Sequence, residues 1–250
     1  MLFRSLEPDN GAARRTSPTN IGLYLASCIS ARELGLIDAE ELERRIRQTC
    51  LSLERMEKWH GQPYNWYHID TLEPLRPRYV SSVDSGNLAA CLLTAARSMA
   101  LEGFEELSAR LDALARQMDF TRLYDQKRRL FTIGMDVENN RLSASHYDLL
   151  ASESRILSFA AILLGQVPPA HWTHLGRMLA PAGDSQALIS WSGTLFEYLM
   201  PSLFLPLWQN TLIHQTNEAV IAAQISERPR EALPWGVSES GYYAFDAALN

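Results

Sequence analysis

The chain has 250 residues, of which 46% are hydrophobic, so it can bury a substantial core in one large domain or two small ones. Its 23 basic and 29 acidic residues give a net charge of −6, and the basic residues lie among acidic ones, which excludes the basic surface typical of nucleic-acid binding. The N-terminal residues lack the apolar region of a signal peptide, and no apolar run is long enough to insert into a bilayer. The three cysteines form no CxxC pair, so we expect small buried side chains rather than a disulfide framework: Cys28, Cys50 and Cys91.

The first half of the chain predicts two pairs of helices. Capping side chains in Thr16–Asn20 precede an apolar helix over Ile21–Leu34, and a charged amphipathic helix over Asp38–Trp59 follows. The second pair is a nearly apolar helix over Asn87–Ala100, expected to be buried on most sides, and an amphipathic helix over Gly103–Met118. Buried and amphipathic helices therefore alternate.

The second half continues this alternation. A run of alternating hydrophobicity predicts a short β-hairpin near residues 124–136. The pattern then predicts a buried, an amphipathic, a buried and an amphipathic helix and the start of another buried one, over Leu149–Leu164, Pro168–Leu179, Gly193–Pro206, Leu212–Ser226 and Ser240–Leu249.

A short polar and aromatic segment precedes each of five buried helices. Successive segments begin roughly 65, 65, 45 and 45 residues apart, the period of a helical-hairpin repeat: Thr16–Asn20, Tyr79–Asn87, Ser145–Asp148, Ser190–Gly193 and Pro234–Gly241. The pattern predicts an all-α toroid of helical hairpins in which the N-terminal ends of the buried helices open on one polar cleft. We expect the ring to be incomplete, with residues 1–13 a non-native or disordered segment and residues 14–250 a partial barrel.

Glu153 is the first candidate for chemistry. It lies at the top of a predicted buried helix, where Asp148, Ser152 and Arg155 recur at helical spacing. Burial raises the pKa of a carboxyl group unless a partner is near, and Arg155 or His146 is a candidate partner. The pattern leaves two interpretations open, a structural member of an ion pair and a catalytic carboxylate.

Glu239 is the second candidate. It lies between the aromatic side chains Trp235 and Tyr242, with Ser238 beside it. Hydrolysis or transfer at a glycosidic bond needs two carboxyl groups flanking that bond, and an acid between aromatic walls suits this chemistry. The alternative is a loop glutamate that caps the last helix.

Other polar and aromatic residues have both a structural and a binding interpretation. Asp84 and Asn87 belong to a helix-capping segment and are equally suited to bind a sugar hydroxyl. Trp66 and Tyr67 lie in an aromatic loop that is either a sugar platform or core packing.

The segment Ser190–Gly193 repeats the polar and aromatic theme with Trp191 and Ser192. Glu197 follows one turn into the next helix, and we expect it to be a structural partner rather than a catalyst. The pair His171 and His174 lacks the further ligands that a zinc site needs.

These segments together resemble the central, glucoamylase-like cyclization region of bacterial cyclic β-1,2-glucan synthases. The motifs that carry the resemblance are Arg15–Leu23, Tyr64–Tyr67, Pro77–Ala89, Tyr147–Arg155 and Pro234–Gly241, and the match extends over residues 14–250.

The resemblance implies an (α/α)6 barrel truncated at its C-terminal side, and no metal or nucleotide cofactor. It implies transglycosylation with retention of anomeric configuration, in which a linear β-1,2-glucan is cut and rejoined to itself as a ring. The two catalytic glutamates of the family match Glu153 and Glu239. We expect Glu153 and Glu239 to face each other across the cleft, and which of them is the nucleophile stays open. The substrate-binding residues are then expected to be Asp84, Asn87, Trp66, Tyr67, Tyr147, Asp148, Arg155, Trp191, Ser192, Trp235, Ser238 and Tyr242.

The implied partners are a β-1,2-glucan chain and the flanking glycosyltransferase and phosphorylase-like domains of the same polypeptide. The implied location is the cytoplasmic side of a bacterial inner-membrane protein, of which this chain would be a soluble domain. Hydrolysis of the same glucan and a non-catalytic glycan-binding scaffold are the alternative functions.

Overall fold

The structure is a computed structural model that describes residues 6–7, 11–227 and 235–237. The chain divides into two compact units. The first comprises Met1–His146 and Ile156–His174, and the second comprises Tyr147–Arg155 and Leu175–Asn250. The short segment Tyr147–Arg155, which carries Glu153, therefore belongs to the second unit, although the residues before and after it belong to the first.

Within the described residues lie eight α-helices: α1 (Pro18–Glu33), α2 (Ala39–Arg55), α3 (Ser82–Leu101), α4 (Glu105–Arg116), α5 (Arg155–Leu163), α6 (Ala170–His174), α7 (Leu195–Leu199) and α8 (Leu212–Ser226). Two 3-10 helices span Phe120–Leu123 and Met200–Leu203. Helices α1 to α4 and α8 follow the predicted order, and the predicted bounds of α8 are confirmed.

The same residues contain thirteen strands of two to four residues: β1 (Leu6–Glu7), β2 (Gly11–Ala12), β3 (Arg15–Thr16), β4 (Lys58–Trp59), β5 (Gln62–Pro63), β6 (Tyr67–His68), β7 (Tyr79–Ser81), β8 (Tyr124–Asp125), β9 (Leu130–Phe131), β10 (Gly134–Asp136), β11 (Arg141–Leu142), β12 (Leu179–Ala182) and β13 (Ser185–Leu188). All pairings are antiparallel, and the one three-stranded sheet of the described chain has the order β11–β10–β7. The predicted hairpin near residues 124–136 is confirmed, since Tyr124 pairs with Phe131 in β8 and β9.

Local capping explains where the first helices begin. The Ser17 side chain accepts a hydrogen bond from the Asn20 N–H, and Pro18 occupies the first turn of α1, where its missing N–H costs nothing. Asp38 caps α2 in the same way. Helix α3 begins at Ser82 rather than at the predicted Asn87, because the Ser81 side chain accepts from the Asp84 N–H.

The core of the first unit forms around α3, which is buried on most of its length as predicted. A Cβ atom at Gly86 would lie 2.5 Å from the Leu157 Cα, so α3 and α5 pack closer there than a side chain permits. Helix α2 buries a single stripe that includes Leu42, Ile46 and Leu53, the arrangement of an outer helix. The three cysteines are buried free thiols, as expected.

Three predicted helices of the second half are wrong in extent. Residues 149–154 form turns, and α5 begins only at Arg155. The predicted helix over residues 168–179 is reduced to α6, and the hairpin β12–β13 follows it with Gly183 in a left-handed turn. Helix α7 gives way to a 3-10 turn containing Pro201, because proline disfavours helical backbone at the preceding residue. The predicted helix over residues 240–249 lies outside the described residues.

None of the helices in the described part of the chain is long and apolar enough to cross a membrane.

Candidate functional site

Glu153 lies in the turn between Tyr147 and α5. Its side chain is only 6% exposed, and the Ser152 hydroxyl donates a hydrogen bond to its Oε2. Ser152 adopts a left-handed backbone, with φ of 53°, which residues with a Cβ atom rarely adopt. The turn therefore presents two consecutive polar side chains from a conformation that a helix could not supply, which is why the predicted helical start at Leu149 is wrong.

Glu197, on α7, is a buried hydrogen-bond acceptor beside this turn. It is 1% exposed, and its Oε1 accepts from the Ser152 N–H at 3.0 Å. Its Oε2 accepts from the Ser190 hydroxyl at 2.6 Å and from both the N–H and the hydroxyl of Ser192 at 2.8 Å. Burial acts to raise the pKa of Glu197, but these hydrogen bonds outweigh it and hold the pKa below its usual value. The carboxylate is therefore ionised, and its contacts support the structural interpretation made from the sequence.

An aromatic pair lies over the same turn. The rings of Tyr147 and Trp191 stack with centroids 5.4 Å apart and planes inclined by 23°. Tyr147 is buried, whereas Trp191 is 53% exposed. The backbone N–H of Trp191 also donates to the Leu150 carbonyl at 3.2 Å. One face of a tryptophan is thus held against the protein while much of the ring remains accessible to a ligand.

Asp148 and Arg155, at the two ends of the turn, make hydrogen bonds to backbone groups of neighbouring segments. The Asp148 Oδ1 accepts from the N–H of Leu149 at 2.9 Å and from the N–H of Gly176. The Arg155 Nη2 donates to the Tyr198 carbonyl at 2.8 Å, and burial lowers the pKa of Arg155 to about 10. His146, the other suggested partner of Glu153, lies with its Nε2 3.1 Å from the Asp125 Oδ2.

A second polar cluster lies in the first unit, at the N-terminal ends of α1 and α3. The Thr19 hydroxyl donates to Asp84 Oδ1 at 2.6 Å and accepts from the Asn87 side-chain amide at 3.0 Å. Asn65, in the amide orientation that satisfies both of its neighbours, donates to Asp84 Oδ2 at 3.1 Å. The structure thus brings Asp84 and Asn87 together through Thr19, a residue that the sequence analysis did not single out.

The two aromatic residues of the Tyr64–Tyr67 loop have different environments. Trp66 is partly exposed, and the Arg15 guanidinium lies 4.7 Å from its ring centroid. Tyr67 is fully buried, its hydroxyl donates to the Glu57 carbonyl at 2.6 Å, and burial raises its pKa. The buried ring and the hydroxyl bound to backbone favour the core-packing interpretation of Tyr67, and its role in substrate binding stays a prediction.

The third candidate segment is described only in part. Trp235 is 44% exposed, and beside it the Val237 N–H donates to Gln224 Oε1 at 2.7 Å. Ser238, Glu239 and Tyr242 lie outside the described residues. The predictions that Glu239 faces Glu153 and that the buried helices open on one cleft therefore stay predictions.

His171, from the weak histidine pair, is a buried core residue. Its Nδ1 lies 2.9 Å from the Arg129 carbonyl oxygen and its Nε2 lies 2.9 Å from the Ser158 hydroxyl. Among the residues that the structure describes, no three His, Cys, Asp or Glu side chains are grouped so that they could hold a metal ion.

Sequence reasoning missed Ser152 and Ser190 as parts of the site. Ser190 was seen only as the start of a polar segment, and Ser152 only as a member of a helical spacing. The signal was the pair of serines that flank Glu153, because Ser favours turns and competes with helix through its side chain.

A family model described as a protein of unknown function (DUF3131) matches residues 6–127. The cyclic β-(1,2)-glucan synthase NdvB of Rhizobium meliloti (strain 1021) is 32% identical over 97% of this chain. The chain spans 13% of the length of that relative. The resemblance to cyclic β-1,2-glucan synthases is thereby confirmed.

Solved structures are similar in fold. An endo-β-1,2-glucanase from Chitinophaga pinensis, in complex with sophorotriose and glucose, has a TM-score of 0.73 and 17% identity over 88% of this chain and 58% of its own. A putative glucoamylase from Bacteroides fragilis NCTC 9343 has a TM-score of 0.75 and 16% identity over 94% of this chain and 64% of its own. The predicted all-α class, a glucoamylase-like (α/α)6 barrel, is confirmed.

Proposed function

We propose that this chain is part of a transglycosylase domain that cuts linear β-1,2-glucan and rejoins it to itself as a cyclic glucan. The observation that carries the proposal is the 32% identity, over 97% of the chain, to a cyclic β-1,2-glucan synthase. The fold shared with an endo-β-1,2-glucanase supports the same substrate class.

Cleavage of the glycosidic bond requires a pair of carboxyl groups that flank it. A ring made of β bonds from a β-linked chain requires net retention of configuration, which needs either a covalent intermediate or two successive inversions. In the direct route one carboxylate attacks the anomeric carbon while the other, as an acid, protonates the leaving oxygen, and the two groups lie about 5–5.5 Å apart. The sugar hydroxyl at the other end of the same chain then takes the place of water. We assign this pair to Glu153 and Glu239.

The surroundings of Glu153 support this role. The side chain is buried, one of its oxygens accepts from Ser152, and the exposed ring of Trp191 lies stacked on Tyr147 over the same turn. A partly exposed indole whose backbone is hydrogen-bonded to the turn that carries Glu153 suits a bound sugar ring, since aromatic faces carry a large apolar contact area. Trp66 and Asp84 are proposed as further contacts along the glucan.

The decisive experiment is the product of the reaction with linear β-1,2-glucan. Rings without new reducing ends are expected, and they are separated by mass, since a ring lacks one water relative to the linear chain. New reducing ends in place of rings would support the second candidate, hydrolysis, which the fold shared with an endo-β-1,2-glucanase favours. Binding of glucan without turnover would support the remaining alternative, a non-catalytic glycan-binding scaffold.

The proposed catalytic pair has its own test. Glu153→Gln and Glu239→Gln are each expected to lower the rate of ring formation by at least about 10²-fold, the lower end of the range for general acid–base catalysis. Glu218→Gln, an exposed carboxyl on α8, is the matched control and should keep the wild-type rate. A variant of Glu153 or Glu239 that keeps more than about a tenth of that rate would contradict its assignment.

The proposal includes a larger polypeptide around this chain. A relative of which the chain spans 13% is consistent with that organisation. The flanking glycosyltransferase and phosphorylase-like domains, and an inner-membrane parent protein, are proposed from the resemblance alone.

A further inference from the structure

Glu197 joins two segments that carry different parts of the proposed site. From this geometry we propose that Glu197 is a positioning residue that sets both the orientation of the Glu153 carboxyl group and the position of the Trp191 side chain. The inference rests on the proposed function for the meaning of that position. The hydrogen bonds themselves do not depend on it.

The first link runs through Ser152. Its backbone N–H donates to Glu197 Oε1 at 3.0 Å, while its hydroxyl donates to Glu153 Oε2. The residue thus contacts both carboxylates, one through its main chain and one through its side chain. Because its backbone is left-handed, with φ of 53°, a conformation that costs free energy for a residue with a Cβ atom, the bond to Glu197 holds this turn in place.

The second link runs to the segment of Trp191. Glu197 Oε2 accepts from Ser190 at 2.6 Å and from Ser192 at 2.8 Å, which are the residues on either side of the tryptophan. The Ser190 hydroxyl in turn accepts from the Gly193 N–H at 2.9 Å. The indole therefore rests on Tyr147 from one side and on a backbone fixed by Glu197 from the other.

The chemistry of the contacts requires a carboxylate. A carboxylate only accepts, and each of its oxygens here faces a backbone N–H, that of Ser152 on one side and that of Ser192 on the other. An amide of the same shape has one accepting oxygen and one donating nitrogen. Glu197→Gln would therefore leave one of these two N–H groups opposite another donor, whichever way the amide turns.

A further bond from the same helix strengthens the link. The carbonyl of Tyr198, next to Glu197 on α7, accepts from Arg155 at 2.8 Å. Residues on both sides of Glu153 are thus held by consecutive residues of α7. The short helix acts as the support on which the turn is built.

The kinetic test compares Glu197→Gln with wild type in the full-length protein, using linear β-1,2-glucan. We expect kcat to fall by about 10²-fold with KM changed less than about threefold, since a displacement of about 1 Å in a catalytic group costs on that order. Glu197→Asp keeps both accepting oxygens and should recover part of kcat. A melting temperature that stays close to that of wild type in Glu197→Asp excludes general unfolding.

Ser192→Ala is the matched variant on the other side of the carboxylate. It removes one hydroxyl donor and leaves the bond to Ser152, so we expect a rise in KM with kcat within about threefold of wild type. Glu218→Gln, exposed on α8, should change neither constant. Equal losses of kcat in Glu197→Gln and Ser192→Ala would contradict a separate link to Glu153.

Hydrogen–deuterium exchange gives a readout that needs no turnover. In Glu197→Gln we expect faster exchange in peptides covering 147–155 and 190–194, with peptides from α1 to α4 unchanged. Unchanged exchange in both segments, or a kcat within twofold of wild type, would overturn the inference. A wild-type protein that releases no product while the exchange difference appears would refute the proposed function and leave the link from Glu197 to the turn standing.

Discussion

The Asp84 cluster and the Glu153 turn are two polar regions built by different means. Asp84 lies in the first turn of a long helix, where Ser81 caps the chain and the neighbouring polar groups come from the start of α1. The Glu153 turn has no helix of its own. It is held by Glu197, which lies 45 positions later in the sequence than Ser152. The Asp84 cluster follows from the regular structure at the helix starts, whereas the Glu153 turn depends on the buried carboxylate of Glu197.

The two regions should lose very different amounts of unfolding free energy when the side chain that supports each of them is removed. Glu197→Ala should lower the free energy of unfolding by roughly 3–5 kcal/mol, because it leaves the partly buried N–H groups of Ser152 and Ser192 without their acceptor at about 1–3 kcal/mol each and creates a cavity in place of a buried side chain. Urea denaturation measures this loss. A loss below about 1 kcal/mol would mean that water or a neighbouring group replaces the carboxylate, and that the turn does not depend on it.

The buried charge also makes one region sensitive to acid. The pKa of Glu197 in the folded chain lies below its usual value of 4.5, so the carboxylate stabilises the fold above about pH 4.5, and this contribution is lost as the pH falls through the lower folded pKa. The stability difference between wild type and Glu197→Gln should therefore be constant near neutral pH and shrink below pH 4.5. Denaturation curves of both proteins at several pH values test this. A difference that does not vary with pH would show that folding leaves the pKa of Glu197 unchanged.

Removal of the Ser81 cap should have the smallest effect. Ser81→Ala takes the acceptor from the Asp84 N–H, and loss of such a cap costs about 1 kcal/mol. Exchange should rise at the start of α3 and stay unchanged over 147–155. A loss as large as that of Glu197→Ala would erase the contrast between the two regions.

The same contrast explains what the sequence could predict. Helices α1 to α4 and α8 follow from local signals, such as Ser17 and Asp38 as caps and the buried stripe of α2, because these signals act within one or two turns. The turn at Ser152 does not, since the bonds that fix it come from Glu197 on α7. Apolar periodicity over 149–164 predicted a longer helix, because a local pattern of apolar residues does not reflect a hydrogen-bond acceptor that lies far away in the sequence.

The hairpin β12–β13 was missed for another reason. Two residues, Gly183 and Asp184, separate its strands, and a two-residue turn that begins with glycine is a hairpin signal. The strands themselves are short and include Pro181, so their pattern did not outweigh the preceding helical one. For the candidate site, the resemblance selected Glu153 as a candidate, whereas no local pattern distinguished the buried Tyr67 from the partly exposed Trp66.

The stacked pair of Tyr147 and Trp191 gives the protein a natural optical probe. One face of the indole lies against a phenol ring, and 53% of the residue is exposed to solvent. A polar solvent shifts tryptophan fluorescence to the red, and a sugar ring that covers the outer face would shift it back to the blue. Trp191→Phe isolates that signal from the other five tryptophans of the chain. Glucan occupancy of this part of the site is thus measurable without a label.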